Sequence, residues 1–209
     1  MGRVDFSFYL VTDRHQTRGR PLLEICRAAL RAGVRAIQLR EKDLPTRPLL
    51  ALARDLAALA DAQSARLLIN DRVDLALAIG NRHVQLPAAG LPASVARRLL
   101  GEEGLIGLST HSADEAARAE AAGADFVVLG PLFDTPLKQA FGAAIGLAEL
   151  ERARTRCRIP IFGIGGIITT QRVRDARQAG AHGVAVVSAV MVANDVEGIC
   201  RQFLGALDE

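Results

Sequence analysis

Apolar positions along this chain change their period again and again. Short runs in which nearly every residue is apolar suit strands buried on both faces. They give way to stretches with apolar residues three and four apart, which suit amphipathic helices. The runs fall at 6–12 (FSFYLVT), 34–40 (VRAIQLR), 66–70 (RLLIN), 83–86 (HVQL), 105–109 (LIGLS), 125–130 (DFVVLG), 159–164 (IPIFGI) and 183–188 (GVAVVS). Helical stretches lie between them, for example 22–33, 49–62, 112–123 and 170–180. Ala32-Gly33-Val34, Ala122-Gly123-Ala124 and Ala179-Gly180-Ala181 each close a helix and lead into a strand, with glycine suited to the left-handed position past a helix end. Thr46, Ser112 and Thr169 precede helical runs as N-caps, and Glu115 completes a capping box with Ser112. Eight such units fill the 209 residues and leave no second domain. The pattern predicts a single (β/α)8 TIM barrel over 1–209, with a doubly wound open sheet as the alternative.

Side chains two apart on a strand share a face. In AIQLREK, residues 36–42, Ile37 and Leu39 then face the helices while Gln38 and Arg40 point into the barrel, with Lys42 just beyond. They sit at the C-terminal end of the second strand, the end that carries active sites in this fold. An inward guanidinium needs an anionic partner. A neighbouring acid such as Asp71 or Glu41 would serve, but three polar groups in succession favour an anionic ligand. At the third strand's end, Asp71 either caps the next helix or holds a hard cation beside a diphosphate. Ser109 ends the fifth strand as a hydrogen-bond donor, and His111 packs or caps. The loop after the sixth strand, 130–146, is the longest and carries Lys138, as a lid would. Gly163 to Ile167 after the seventh strand and Val187-Ser188-Ala189 after the eighth suit a phosphate cradle of backbone amides. One mouth thus offers a diphosphate site and a monophosphate site.

Composition narrows the classes. The 26 basic and 23 acidic residues are interleaved, net charge is +3, and aromatics are 4%, which argues against nucleic-acid binding. Only Lys42 and Lys138 are lysines, which fits either a compact ammonium wanted at those two places or chance. Cys26, Cys157 and Cys200 are far apart and suit buried free thiols in a reducing cytoplasm. The N-terminus lacks the pattern of a signal peptide or a myristoylation site, and no apolar run is long enough to cross a membrane. Neither a Ser-His-Asp nor a Cys-His arrangement is legible, and no histidine cluster suggests zinc.

YLVTDR (9–14), QLREK (38–42), INDRVDLA (69–76), GLSTH (107–111), GADFVVLGPLFDTPLK (123–138), IGGI (164–167) and VVSA (186–189) fall in the order and spacing of one family. Over nearly its whole length the chain resembles thiamine phosphate synthase and its relatives, the TenI-type thiazole tautomerases. The resemblance implies a Mg²⁺-dependent transferase that joins a hydroxymethylpyrimidine diphosphate to a thiazole phosphate and releases pyrophosphate. It implies that Gln38, Leu39, Arg40, Glu41, Lys42, Asn70, Ser109 and Lys138 hold the pyrimidine diphosphate, with Arg40, Lys42 and Lys138 acting on the departing charge. Asp71 would bind the metal. Thr135, Pro136, Leu137, Gly165, Gly166, Val187 and Ser188 would hold the thiazole phosphate. The implied partners are small molecules, with room for a homo-oligomer. Two positions depart from the synthase pattern. Gly90 stands where a second metal-binding aspartate is usual, and Leu137 replaces the second threonine of Thr-x-Thr-Lys. Pro131 stands where the tautomerases carry their histidine. A tautomerase, or a non-catalytic binder of thiazole or thiamine phosphates, is the alternative.

Overall fold

A computed structural model describes residues 4–134 and 143–209. Eight strands close into a barrel in chain order: β1 (Phe8–Val11), β2 (Ala36–Leu39), β3 (Arg66–Asn70), β4 (Val84–Leu86), β5 (Ile106–Thr110), β6 (Phe126–Leu129), β7 (Ile161–Ile164) and β8 (Gly183–Val186). Every neighbouring pair is parallel, and β8 returns to β1 with Tyr9 opposite Ala185. Closure excludes the open sheet and confirms the (β/α)8 barrel. Around it lie α1 (Leu22–Arg31), α2 (Thr46–Asp61), α3 (Val73–Ala78), α4 (Ala93–Leu100), α5 (Ala113–Ala121), α6 (Leu147–Arg156), α7 (Thr170–Gln178), the single turn α8 (Ser188–Met191) and α9 (Val196–Asp208).

Alternation along each strand sorts the core into two layers. Ile37, Leu39, Ile69, Val127 and Val184 belong to the larger layer, packed against the helices. Tyr9, Val11, Ala36, Leu68, Phe126, Val128, Phe162 and Ala185 fill the barrel itself. Phe6 precedes β1 rather than extending it. Its ring stacks on Phe162 at 5.1 Å and meets Phe126 edge-on at 5.8 Å, so it plugs the end where the strands begin. This is why the apolar run 6–12 is longer than the strand: burial continues after the ladder has stopped.

Two of the three expected caps form. The Ser112 Oγ accepts from the Glu115 amide at 3.2 Å and the Thr169 Oγ1 from the Arg172 amide at 3.3 Å. The Glu115 carboxylate, however, accepts from the His111 amide at 2.7 Å, one residue before the cap. Thr46 is a correction. It is the first residue of α2, Pro45 precedes it without a side-chain cap, and the helix starts about a turn earlier than its apolar period suggests. All three cysteines are free and buried. Burial pushes the Cys26 and Cys200 thiols up to about 12 and Cys157 up to about 11, so none supplies a thiolate near neutrality.

Candidate active site

The C-terminal rim gathers most of the residues singled out above. Gln38 is buried, as an inward position requires. Its Nε2 donates to the Tyr9 Oη at 3.0 Å, that hydroxyl lies 3.5 Å from the Gln85 Oε1, and the Gln85 Nε2 donates to the Ser109 Oγ at 3.1 Å. A polar ladder therefore crosses the barrel just under its mouth, from β2 through β1 and β4 to β5. Burial drives the Tyr9 phenol far above its ordinary pKa, so its hydroxyl stays protonated and donates. Sequence reading missed Tyr9 and Gln85. Both lie in apolar runs, and only the inward register of their strands could have flagged them.

Arg40 is half-buried and Lys42 exposed. The Arg40 amide donates to the buried Thr12 Oγ1 at 2.9 Å, which ties the end of β2 to β1. Among the described residues no carboxylate forms an ion pair with the Arg40 or Lys42 side chain. Glu41, one of the acids that could have neutralised Arg40, is committed elsewhere. It is 4% exposed, its two oxygens accept the Arg14 amide at 3.1 and 3.2 Å, and Oε2 also accepts Arg14 Nη1 at 3.3 Å. The Glu41 carboxylate thus braces the loop, and the Leu39 side chain packs in the outer layer. Arg14 Nη2 also donates to Asp43 Oδ2 at 2.6 Å, and His15 Nε2 reaches the same carboxylate at 2.9 Å. Bonds from Arg14 and then His15 hold the Asp43 carboxyl far below the usual range. The loops after β1 and β2 are thus clamped together, and Arg40 and Lys42 ride on a braced segment.

Asn70 ends β3 half-buried, and Asp71 follows in a left-handed conformation (φ 64°), exposed. Asp71 does not cap α3, whose flanking residue is Arg72 without a side-chain cap. Gly90 lies beside it: a Cβ built there would fall 2.9 Å from Asp71 Oδ1 and 2.8 Å from Pro87 Cδ. One exposed carboxylate suits Mg²⁺, which keeps several waters and takes substrate phosphate oxygens besides one or two protein carboxylates. Among the described residues no cluster of three histidine, cysteine, aspartate or glutamate side chains offers a fuller cage.

On the other side of the mouth the loop after β6 runs along the loop after β7. The Leu132 amide donates to Ile164 O at 2.8 Å and the Phe133 amide to Gly165 O at 3.1 Å. Gly165 and Gly166 both have positive φ, 93° and 67°. A Cβ on Gly165 would strike Pro131 at 2.5 Å, and one on Gly166 would strike Phe133 at 2.8 Å. These glycines are needed for loop packing as well as for any close approach of a phosphate. Among the described residues neither donates its amide to another backbone group. Val187 is half-buried, and Ser188 opens α8, whose first amides have no carbonyl partner within the helix. His111 does pack, its Nδ1 lying 2.7 Å from Gly130 O. Thr135, Pro136, Leu137 and Lys138 lie outside the described residues.

The sequence profile of the family described as Thiamine monophosphate synthase matches residues 8–190. The chain belongs to this family. A relative from Geobacter sulfurreducens is 50% identical over 207 residues, 99% of this chain and 97% of the relative. The thiamine-phosphate synthase of Syntrophomonas wolfei is 43% identical over 202 residues, 97% of this chain and 96% of that one. Among solved structures, the thiamine phosphate pyrophosphorylase from Pyrococcus furiosus superposes with a TM-score of 0.88 at 35% identity, covering 99% of this chain and 97% of its own. No described helix is long and apolar enough to cross a membrane.

Proposed function

We propose that this chain is a thiamine phosphate synthase that joins a pyrimidine diphosphate to a thiazole phosphate. The observation that carries the reading is the pair of anion-suited clusters on one rim. Arg40 and Lys42 have no described carboxylate ion-paired to them at the end of β2, and the Gly165 and Gly166 amides, which bond to no other backbone group among the described residues, lie at the end of β7, beside the start of α8 at the end of β8. A substrate pair bearing a diphosphate and a monophosphate fills both.

The chemistry then divides among this chain's residues. Gln38, Asn70 and Ser109 orient the pyrimidine diphosphate, with Gln38 and Ser109 held by the Tyr9–Gln85 ladder. The methylene–oxygen bond breaks and its electron pair leaves on the diphosphate, where Arg40, Lys42 and Lys138 stabilise the charge. The thiazole nitrogen, placed by its phosphate in the Gly165–Gly166 and Val187–Ser188 cradle, attacks the methylene carbon, giving thiamine phosphate and pyrophosphate. Asp71 would hold Mg²⁺, which supplies further neutralisation of the diphosphate when bound. No proton is transferred at the reacting centre, so the step needs no general base. The buried free thiols suit a cytoplasmic enzyme.

A coupled assay tests this. Purified protein, both substrates and Mg²⁺ should yield thiamine phosphate above a no-enzyme control, and Lys42→Ala should abolish the yield. No turnover with thiazole phosphate still bound would reject the transferase in favour of an isomerase or binder.

A further inference from the structure

At the opposite end of the barrel, where β7 and β8 begin, lies a cavity of about 690 Å³. Its wall is basic. Arg154 from α6, Arg158 from the segment after it, Arg174 and Arg177 from α7, and His182 before β8 face, among the described residues, a single carboxylate side chain, Glu209. Glu209 matches only Arg174, through a bond of 2.9 Å to Nη2. Among the described residues Arg154, Arg158 and Arg177 form no ion pair.

Closing off chain ends accounts for part of this arrangement. Arg154 Nη1 donates to Cys157 O at 3.2 Å, and Arg177 Nη1 donates to Ala181 O at 2.7 Å and His182 O at 3.0 Å. Each bond uses Nη1 alone and leaves the rest of the fork for another acceptor. The Arg158 side chain has no bond to a described residue. Guanidiniums that only cap carbonyls need no cavity beside them and gain nothing from crowding together. The crowding is felt at His182. Burial lowers its pKa, and the charges of Arg177 and Arg154 push the same way. The imidazole is therefore neutral at pH 7, its Nε2 donating to Phe6 O at 3.1 Å and its ring edge-on to Phe162. Pro160, Ile161 and Ala206 add an apolar floor.

We propose that this cavity is a second anion site, separate from the mouth, that takes an organic phosphate. The phosphate oxygens accept from Arg154, Arg158 and Arg177, whose planar forks match them, and a small apolar body rests on Pro160, Ile161 and Ala206.

Arginine modification by phenylglyoxal, read by peptide mass spectrometry, tests the site residue by residue without an assay of the mouth. Phenyl phosphate should slow modification of Arg154, Arg158 and Arg177 roughly tenfold at about ten times its Kd, because protection scales as 1 + [L]/Kd. Exposed Arg47 on α2 should be unaffected. Sodium chloride at equal ionic strength should not protect, and inorganic phosphate should protect less than phenyl phosphate. Arg158→Glu, at a side chain with no described partner, should fold and lose protection at Arg154 and Arg177. Protection absent in the wild type, retained in Arg158→Glu, or given equally by salt would overturn the site. Equal protection by inorganic phosphate would overturn the organic ligand. Protection that follows protein concentration would mean contact between copies and overturn it too. None of these results bears on the transferase reading, which the coupled assay tests alone.

Discussion

Gln38 Nε2 donates to the Tyr9 Oη at 3.0 Å inside the barrel, one layer below the mouth. The bond joins the deepest polar residue of β2 to a phenol that is otherwise walled by Phe6, Phe126 and Phe162. Tyr9→Phe keeps that aromatic packing and deletes one oxygen. It leaves the Gln38 amide short of an acceptor and the Gln85 carbonyl short of a donor in a buried site. The expected cost is about 1–3 kcal/mol of stability, visible as a lower urea midpoint with an unchanged slope. Activity should fall further than stability explains, because the amide of Gln38 and the hydroxyl of Ser109 lose their fixed orientation. A variant as stable and as active as the wild type would show that the ladder is incidental.

Arg40→Ala should weaken pyrophosphate binding by about 1.5–3 kcal/mol, the range of a hydrogen bond to a charged group, or roughly 10- to 150-fold in Kd. Arg40→Lys should recover only part of this, since an ammonium restores the charge without the fork. Calorimetry with pyrophosphate and Mg²⁺ checks both. Undiminished affinity in a folded Arg40→Ala protein would place the diphosphate elsewhere on the rim.

Much of the barrel was legible because burial and chain period are written in the same letters. Apolar runs such as FVVL and VAVV mark strands enclosed on both faces, and both fall where β6 and β8 form. The inward turn of Gln38 also followed from simple alternation. Other features depend on contacts that no local pattern carries. Glu41 looks like a rim residue until Arg14, 27 positions away, is seen to occupy its oxygens. Thr46 looks like a cap, yet Pro45 enters the helix directly and leaves the threonine one place too late. Tyr9 and Gln85 look like core because most of their surroundings are core. The basic cavity at the barrel's far end was hidden for another reason: its arginines are spread over α6, the segment after it and α7 among ordinary surface arginines, and only the fold brings them together.

Gly90 carries a prediction about the metal. A side chain there would begin 2.9 Å from Asp71 Oδ1 and press on Pro87, so something around it must shift. Gly90→Asp puts two carboxylates side by side at an exposed site, a repulsion of about 1 kcal/mol in a watery dielectric. Without divalent cations the variant should melt below the wild type. Mg²⁺ should raise its Tm more than it raises that of the wild type, and it should reach half-maximal activity at a lower Mg²⁺ concentration. A variant indifferent to Mg²⁺ in both measurements would remove Asp71 from the metal site.

His182 sets a pH dependence whose sign can be worked out. Burial, aided by Arg177 and Arg154, lowers its pKa in the folded protein below the ordinary value of about 6.5. As pH falls through about 6.5, the unfolded chain takes up a proton at this residue that the native state refuses, so stability drops. The loss continues until pH passes the folded pKa and then levels off; above about pH 7.5 the group contributes no slope. The chain carries three other histidines, so the comparison must isolate this one. His182→Gln places an amide donor near the position of Nε2, keeps the bond to Phe6 O within reach and cannot titrate. The urea midpoint of the wild type should fall more than that of the variant between about pH 7.5 and about pH 5.5. Equal falls would mean that His182 protonates in the native state as readily as in the unfolded one, and that the guanidiniums around it are screened by water.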